Sequence, residues 1–188
     1  GERPDPMPHY EMTGNPVSIA FSEQSPPVKM RSFKLYQDTK EIRDVKILDK
    51  DNDPNRLLTE RQFALFPLQP LEYDTNYRAA FEYRQNGKDK TAEWTFSTQK
   101  PDYPYFIVKG GEMLAIESGQ KYFIHWQGFW CLKQCERYNY RMNRDTQLDI
   151  IERQAGGIII RVNGSKGSSI RLMPEGEDRR AITLYLWK

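Results

Sequence analysis

Three features of the sequence predict an all-β chain, an antiparallel β-sandwich followed by a second small β-rich, sandwich-like domain. Apolar residues alternate with polar ones in run after run. Pro, Gly, Asn and Asp bound those runs roughly every 8–15 residues. Aromatics reach 13% of 188 residues, through 11 Tyr, 9 Phe and 4 Trp. That is far more ring area than a disordered chain carries, so most of the sequence is expected to fold. The length suits one large domain or two small ones. The 28 basic and 26 acidic side chains leave a formal charge of +2, too weak a field to gather nucleic acid. No apolar run approaches the ~20 residues that cross a bilayer. The longest, Gly156–Ile160, is strand-sized.

The elements follow in order. Six of the 12 prolines fall in the first 27 residues, and residues 1–14 read as an extended Pro-rich linker. Gly1–Tyr10 looks like the middle of a longer polypeptide, so a removed signal peptide and an upstream domain are expected. From Pro16 the period becomes two. Val17, Ile19 and Phe21 alternate with small polar residues, and Phe33 and Leu35 continue across the turn-like Gln37–Lys40 to Val45 and Ile47. After the polar loop Asp49–Asn55 come Phe63, Leu65 and a Leu68–Leu71 stretch. Tyr77, Ala79, Phe81 and Tyr83 then run to a hairpin at Gln85-Asn-Gly87-Lys and a closing strand with Trp94 and Phe96. The expected core of 15–98 is Phe21, Phe33, Leu35, Leu65, Tyr77, Phe81, Trp94 and Phe96. Residues 99–105, with two prolines, are the natural joint to a second domain over 106–188.

In that second domain, Phe106–Val108 and Met113–Ile116 flank Gly110-Gly111, and Tyr122, Ile124 and Trp126 share one strand face. Further strands are expected around Leu148–Ile150, Ile158–Val162, Ile170–Leu172 and Ile182–Leu186. Turns are expected at Gly156-Gly157, Asn163-Gly164 and Gly167. Residues 127–147 show weak β character and read as an insert, a short helix or an ordered loop.

Residues 15–98 resemble the bacterial Ig-like domains of exported and surface-layer proteins. The resemblance is carried by Asn15-Pro-Val-Ser-Ile-Ala-Phe21, Phe33-Lys-Leu35, Phe63-Ala-Leu-Phe-Pro67, Leu71 with Thr75-Asn-Tyr77, and Trp94-Thr-Phe-Ser-Thr98. More narrowly, the run looks like the region following a CAP (cysteine-rich secretory protein-like) domain, where a Pro-rich linker leads into such a module. It covers about 84 of the 188 residues. It implies a fold and an exported origin, periplasmic, cell-surface or secreted, more than an activity.

Candidate chemistry is sparse. Asp49, Asp51, Asp53, Asn55 and Glu60 fall at positions 1, 3, 5, 7 and 12 of a calcium-type loop. Pro54 stands at position 6, where the loop needs positive φ, so no metal is expected there. Cys131 and Cys135 could close a local disulfide, stay as two buried or free thiols, or serve as a metal or redox pair; the disulfide fits an exported protein. His125 is read as an exposed or rim histidine, facing away from Tyr122, Ile124 and Trp126, rather than as a catalytic base.

The unusual window is 121–140, with seven of the 24 aromatics in 20 residues. Phe129, Trp130, Tyr138 and Tyr140, beside Arg137 and Arg141, are the candidate ligand-binding residues. Rings and guanidinium groups of this kind anchor ligands at binding hot spots. Trp126 is expected in the core. The sequence therefore predicts a non-catalytic accessory region, without catalytic residues, cofactor or metal. It would bind a cell-envelope glycan or protein, or space a neighbouring domain. The alternative is a small hydrolase or enzyme inhibitor with its active surface in the second domain.

Overall fold

The computed structural model describes residues 14–130, 137–142 and 145–188. Strands dominate them, with one short 3-10 turn, Asp178–Arg180. The chain divides into two compact units between Lys100 and Pro101.

In the first unit the strands are β1 (Val17–Ala20), β2 (Lys29–Gln37), β3 (Lys40–Ile42), β4 (Val45–Leu48), β5 (Gln62–Pro67), β6 (Asn76–Gln85) and β7 (Lys88–Ser97). They form two sheets, β1-β5-β4 and β3-β2-β6-β7, with every pair antiparallel. Alternation does what period two requires. Phe33 and Leu35 are buried while Lys34 between them is exposed, and Tyr77, Ala79 and Phe81 face the same core. Phe81 sits at the centre. Its ring meets Phe33 of the same sheet at 5.2 Å, edge-on, and Phe63 of the other sheet at 5.0 Å. The Phe63–Phe81 contact bridges the two layers, and each such ring is worth about 1.5–3 kcal/mol when fully buried. Of the expected core, Phe33, Leu35, Leu65, Tyr77 and Phe81 are buried, while Phe21, Trp94 and Phe96 pack half-buried at its margin.

Asn86 (φ +53°) and Gly87 (φ +74°) close the β6–β7 hairpin with the paired positive φ of a type I′ turn. Val45 and Ile47 lie on a strand, as their pattern predicts, but in the other sheet from Phe33 and Leu35: β2 folds back into β3, and Arg43-Asp44 carries the chain across to β4, which pairs with β5. The period-two pattern gives a strand's face, not its sheet.

The second unit holds β8 (Tyr105–Val108), β9 (Met113–Ile116), β10 (Lys121–Trp126), β11 (Tyr138–Met142), β12 (Thr146–Gln154), β13 (Gly157–Gly164), β14 (Ser169–Pro174) and β15 (Ile182–Leu186). Its sheets are β12-β13-β10-β8 and β11-β14-β15-β9. The outermost β8 and β9 pair parallel with β10 and β15, and the remaining pairs are antiparallel. The turn between β8 and β9 moves the chain from one sheet to the other at Gly110 (φ +132°) and Gly111 (φ +90°). A Cβ at Gly110 would lie 2.2 Å from the Arg179 carbonyl oxygen, so no side chain fits. The Glu112 carboxylate caps this turn, accepting the Lys109 and Gly110 amides at 2.7 Å each. Apart from β8 and β9, which add at the edges, the order β12-β13-β10 over β11-β14-β15 is that of strands D-E-B and C-F-G in the immunoglobulin sandwich.

The second core gathers Ile124, Trp126, Ile158, Ile160, Leu172 and Leu184 between the two sheets. Trp126 is fully buried, as expected, and its indole N–H donates to the Arg180 carbonyl at 2.8 Å. Two expectations change here. The insert over 127–147 contains β11 and the start of β12, and Asn163-Gly164 lies inside β13, the turn falling later at Gly167 (φ +90°).

Candidate functional site

The sequence-predicted site residues separate. Tyr138 is a core residue, 8% exposed, its ring 5.6 Å from Trp126. Burial pushes its phenol up to about 12, against a smaller downward pull from Arg153, so it stays protonated and offers no surface to a ligand. Phe129 is half-buried against the same core and lies under the Arg180 guanidinium, 5.1 Å away. Arg180 is itself fixed, donating to the Gln127 carbonyl at 3.0 Å and pairing with Glu177 at 3.4 Å. Trp130 is half-buried too, 5.0 Å from the His125 ring. Gly156 makes room for it, since a Cβ there would stand 2.6 Å from the Trp130 ring edge. Arg137, Tyr140 and Arg141 are exposed. Tyr140 follows the phase of Tyr138 at the free edge of β11, and Arg141 points to the outer face of the sheet. Cys131 and Cys135 lie outside the described residues.

His125 departs from its expected place. It is fully buried, its Nδ1 2.6 Å from the Gly156 carbonyl oxygen and its ring nearly parallel to Phe123. The alternation put His125 on the face away from Trp126, and it is there. What the pattern could not show is that this second face of β10 is covered as well.

The outer face of β11-β14-β15-β9 adds residues that sequence reasoning missed. Arg171 stands directly opposite Arg141, and Met113, Tyr185 and Trp187 are exposed on neighbouring positions. Alternation in 169–174 and 182–186 marks Arg171 and Tyr185 as outward. Only non-local pairing sets them beside Arg141.

In the Asp49–Glu60 loop, Asp49 and Asp53 turn their carboxylates on the loop's own amides. Asp53, buried, accepts the amides of Asn55, Leu57 and Leu58 at 3.0, 2.7 and 2.9 Å. Desolvation raises its carboxyl, and those three hydrogen bonds outweigh that and hold it below the ordinary value. Asp49 likewise accepts the Asp51 and Asn52 amides. Among the described residues no group of His, Cys, Asp or Glu is placed to hold a metal ion. No helix there is long and apolar enough to cross a membrane. Elsewhere in the first unit a cleft of about 560 Å³ lies between β3 and the β5–β6 connection. Lys40, Arg43, Glu41, Asp44 and Glu72 give it charges of both signs.

No family model matches the chain, and no curated protein does. Among solved structures it is similar to the endo-fucoidan hydrolase MfFcnA4 of glycoside hydrolase family 107, at 8% identity and TM-score 0.37, over 95% of this chain and 26% of that one. The chain thus spans about a quarter of that hydrolase. It is also similar to titin Ig tandem domains A164-A165, at 11% identity and TM-score 0.30, over 94% of this chain and 89% of that one. A titin A168–A169 structure gives 13% identity and TM-score 0.28, over 95% and 92%. At these scores neither likeness carries an argument about function; the Ig-like sandwich rests on the strand order.

Proposed function

We propose that this chain is a non-catalytic accessory region of an exported bacterial protein, holding a cell-envelope glycan or protein through its second unit. One observation carries the reading. Exposed Arg137, Tyr140 and Arg141 stand on or beside a strand whose inner residue, Tyr138, is locked into a fully packed core. A rigid frame of that kind presents rings and guanidinium groups at little ordering cost when a ligand arrives. The exported, bacterial origin and the upstream CAP-type neighbour rest on the resemblance of residues 15–98.

Co-sedimentation of the full chain with purified bacterial envelope fractions tests the proposal. The expected result is retention, reduced several-fold by Tyr140→Ala combined with Arg137→Gln, with an unchanged melting temperature. Retention no greater than that of the heat-unfolded chain would overturn it. So would release of soluble sugar or peptide fragments from the envelope, which would make the protein a hydrolase.

A further inference from the structure

We infer that the outer face of the β11-β14-β15-β9 sheet binds an acidic polysaccharide, one whose sugars carry carboxylates. The inference rests on the envelope-binding reading above and names the ligand class.

The first observation is electrostatic. Arg141 and Arg171 are direct cross-strand partners on β11 and β14, and both are exposed. Like charges placed opposite each other on a sheet repel and destabilise the pairing. Among the described residues no acidic side chain pairs with either arginine. The four strands of this sheet contain no Asp or Glu at all. Two guanidinium groups are thus held side by side with no carboxylate on the strands that carry them or on the two beside them. Each is a planar fork that matches the two oxygens of a carboxylate.

The second observation is the apolar company. Arg171 faces Thr183 on β15, and Thr183 faces Met113 on β9. Tyr185 and Trp187 continue the outward phase of Thr183, and are 37% and 45% exposed. Strands lie about 4.8 Å apart, and diagonal neighbours about 7–8 Å. The arginine pair and the Tyr185 ring therefore fall within the reach of one or two sugar units. Trp187 is held in line by its backbone, its N–H donating to the Ile116 carbonyl at 3.2 Å. Flat exposed rings offer apolar surface to the faces of sugars, while the fork takes the charge. A nucleic acid would call for a broader basic field than a chain of net charge +2 supplies.

Binding titrations of the full chain with polygalacturonate test this, with neutral dextran, dextran sulfate and single-stranded DNA as comparators. Polygalacturonate should bind, more weakly as salt rises. Arg141→Gln and Arg171→Gln should each weaken it about tenfold, and Tyr185→Ala several-fold. The arginine variants should melt no lower than the parent, because each relieves a like-charge pair. Absence of binding to polygalacturonate overturns the inference, as does unchanged affinity in the Arg141→Gln/Arg171→Gln double variant. Equal or tighter binding of dextran sulfate or DNA through the same arginines also overturns it, by making the face a general polyanion surface. Envelope retention that survives the double variant sinks this inference and leaves the envelope-binding reading intact. Polygalacturonate binding by a chain that envelopes do not retain does the reverse.

Discussion

A phenol in an apolar core is an uneasy group, and Tyr138 shows how its surroundings settle it. Its ring packs on Trp126, and burial raises its titration to about 12. Raised above its ordinary value of 10.0, the group contributes stability that is fully present below about pH 10 and is lost as pH rises through its folded value. Tyr138→Phe should therefore leave neutral-pH stability within about 1 kcal/mol and remove that alkaline loss, whereas Tyr138→Ala should cost about 3–5 kcal/mol. Denaturant melts at neutral and alkaline pH measure both; a destabilised Phe variant would show that the hydroxyl has a partner it needs. Tyr138 and His125 are also the two residues whose setting the sequence could not convey. Tyr138 opens an edge strand whose next four residues are exposed, so no alternation flags it as inward. For His125 the alternation gives the face of β10 and is silent on what covers that face.

At the scale of elements, the strands were legible wherever one face is buried and the other wet, as in β2, β6 and β14. Legibility failed where the chain changes sheets, at Arg43-Asp44, because a local pattern carries no information about which partner a strand chooses. The β10–β13 pair is instead specified by bare backbone. A Cβ at Gly157 would meet the Ile124 carbonyl oxygen at 2.0 Å, a backbone atom that cannot swing aside. Gly157→Ala should push β13 from β10 at the His125 register and destabilise the second unit by about 1–3 kcal/mol. Amide exchange would accelerate around Ile124, His125 and Ile158 first. Unaltered exchange there would mean that the pair tolerates the shift and that its register does not depend on Gly157.

Across the whole molecule, each unit carries a core of its own. The first is built around Phe81, Leu35 and Leu65, the second around Trp126, Ile124 and Ile160. Composition and the two prolines of 99–105 pointed to a division of this kind, whereas the sites did not show in the sequence because they are assembled from distant strands. Arg141 and Arg171 meet only once β11 pairs with β14. Small domains have about 0.05–0.15 kcal/mol of stability per residue, so residues 101–188 alone should hold roughly 4–13 kcal/mol. That is enough for independent folding, since the sandwich closes both of its layers within this stretch. Expressed by itself, 101–188 should unfold in one cooperative thermal transition and show a near-ultraviolet signal from the buried Trp126. Trp126→Ala, removing about 3–5 kcal/mol, should bring the fragment to the edge of unfolding. A fragment with strand signal but neither a cooperative melt nor a fixed tryptophan environment would show that the second core does not suffice. The outer face of β11-β14-β15-β9 could then no longer be treated as a frame rigid enough to hold a ligand.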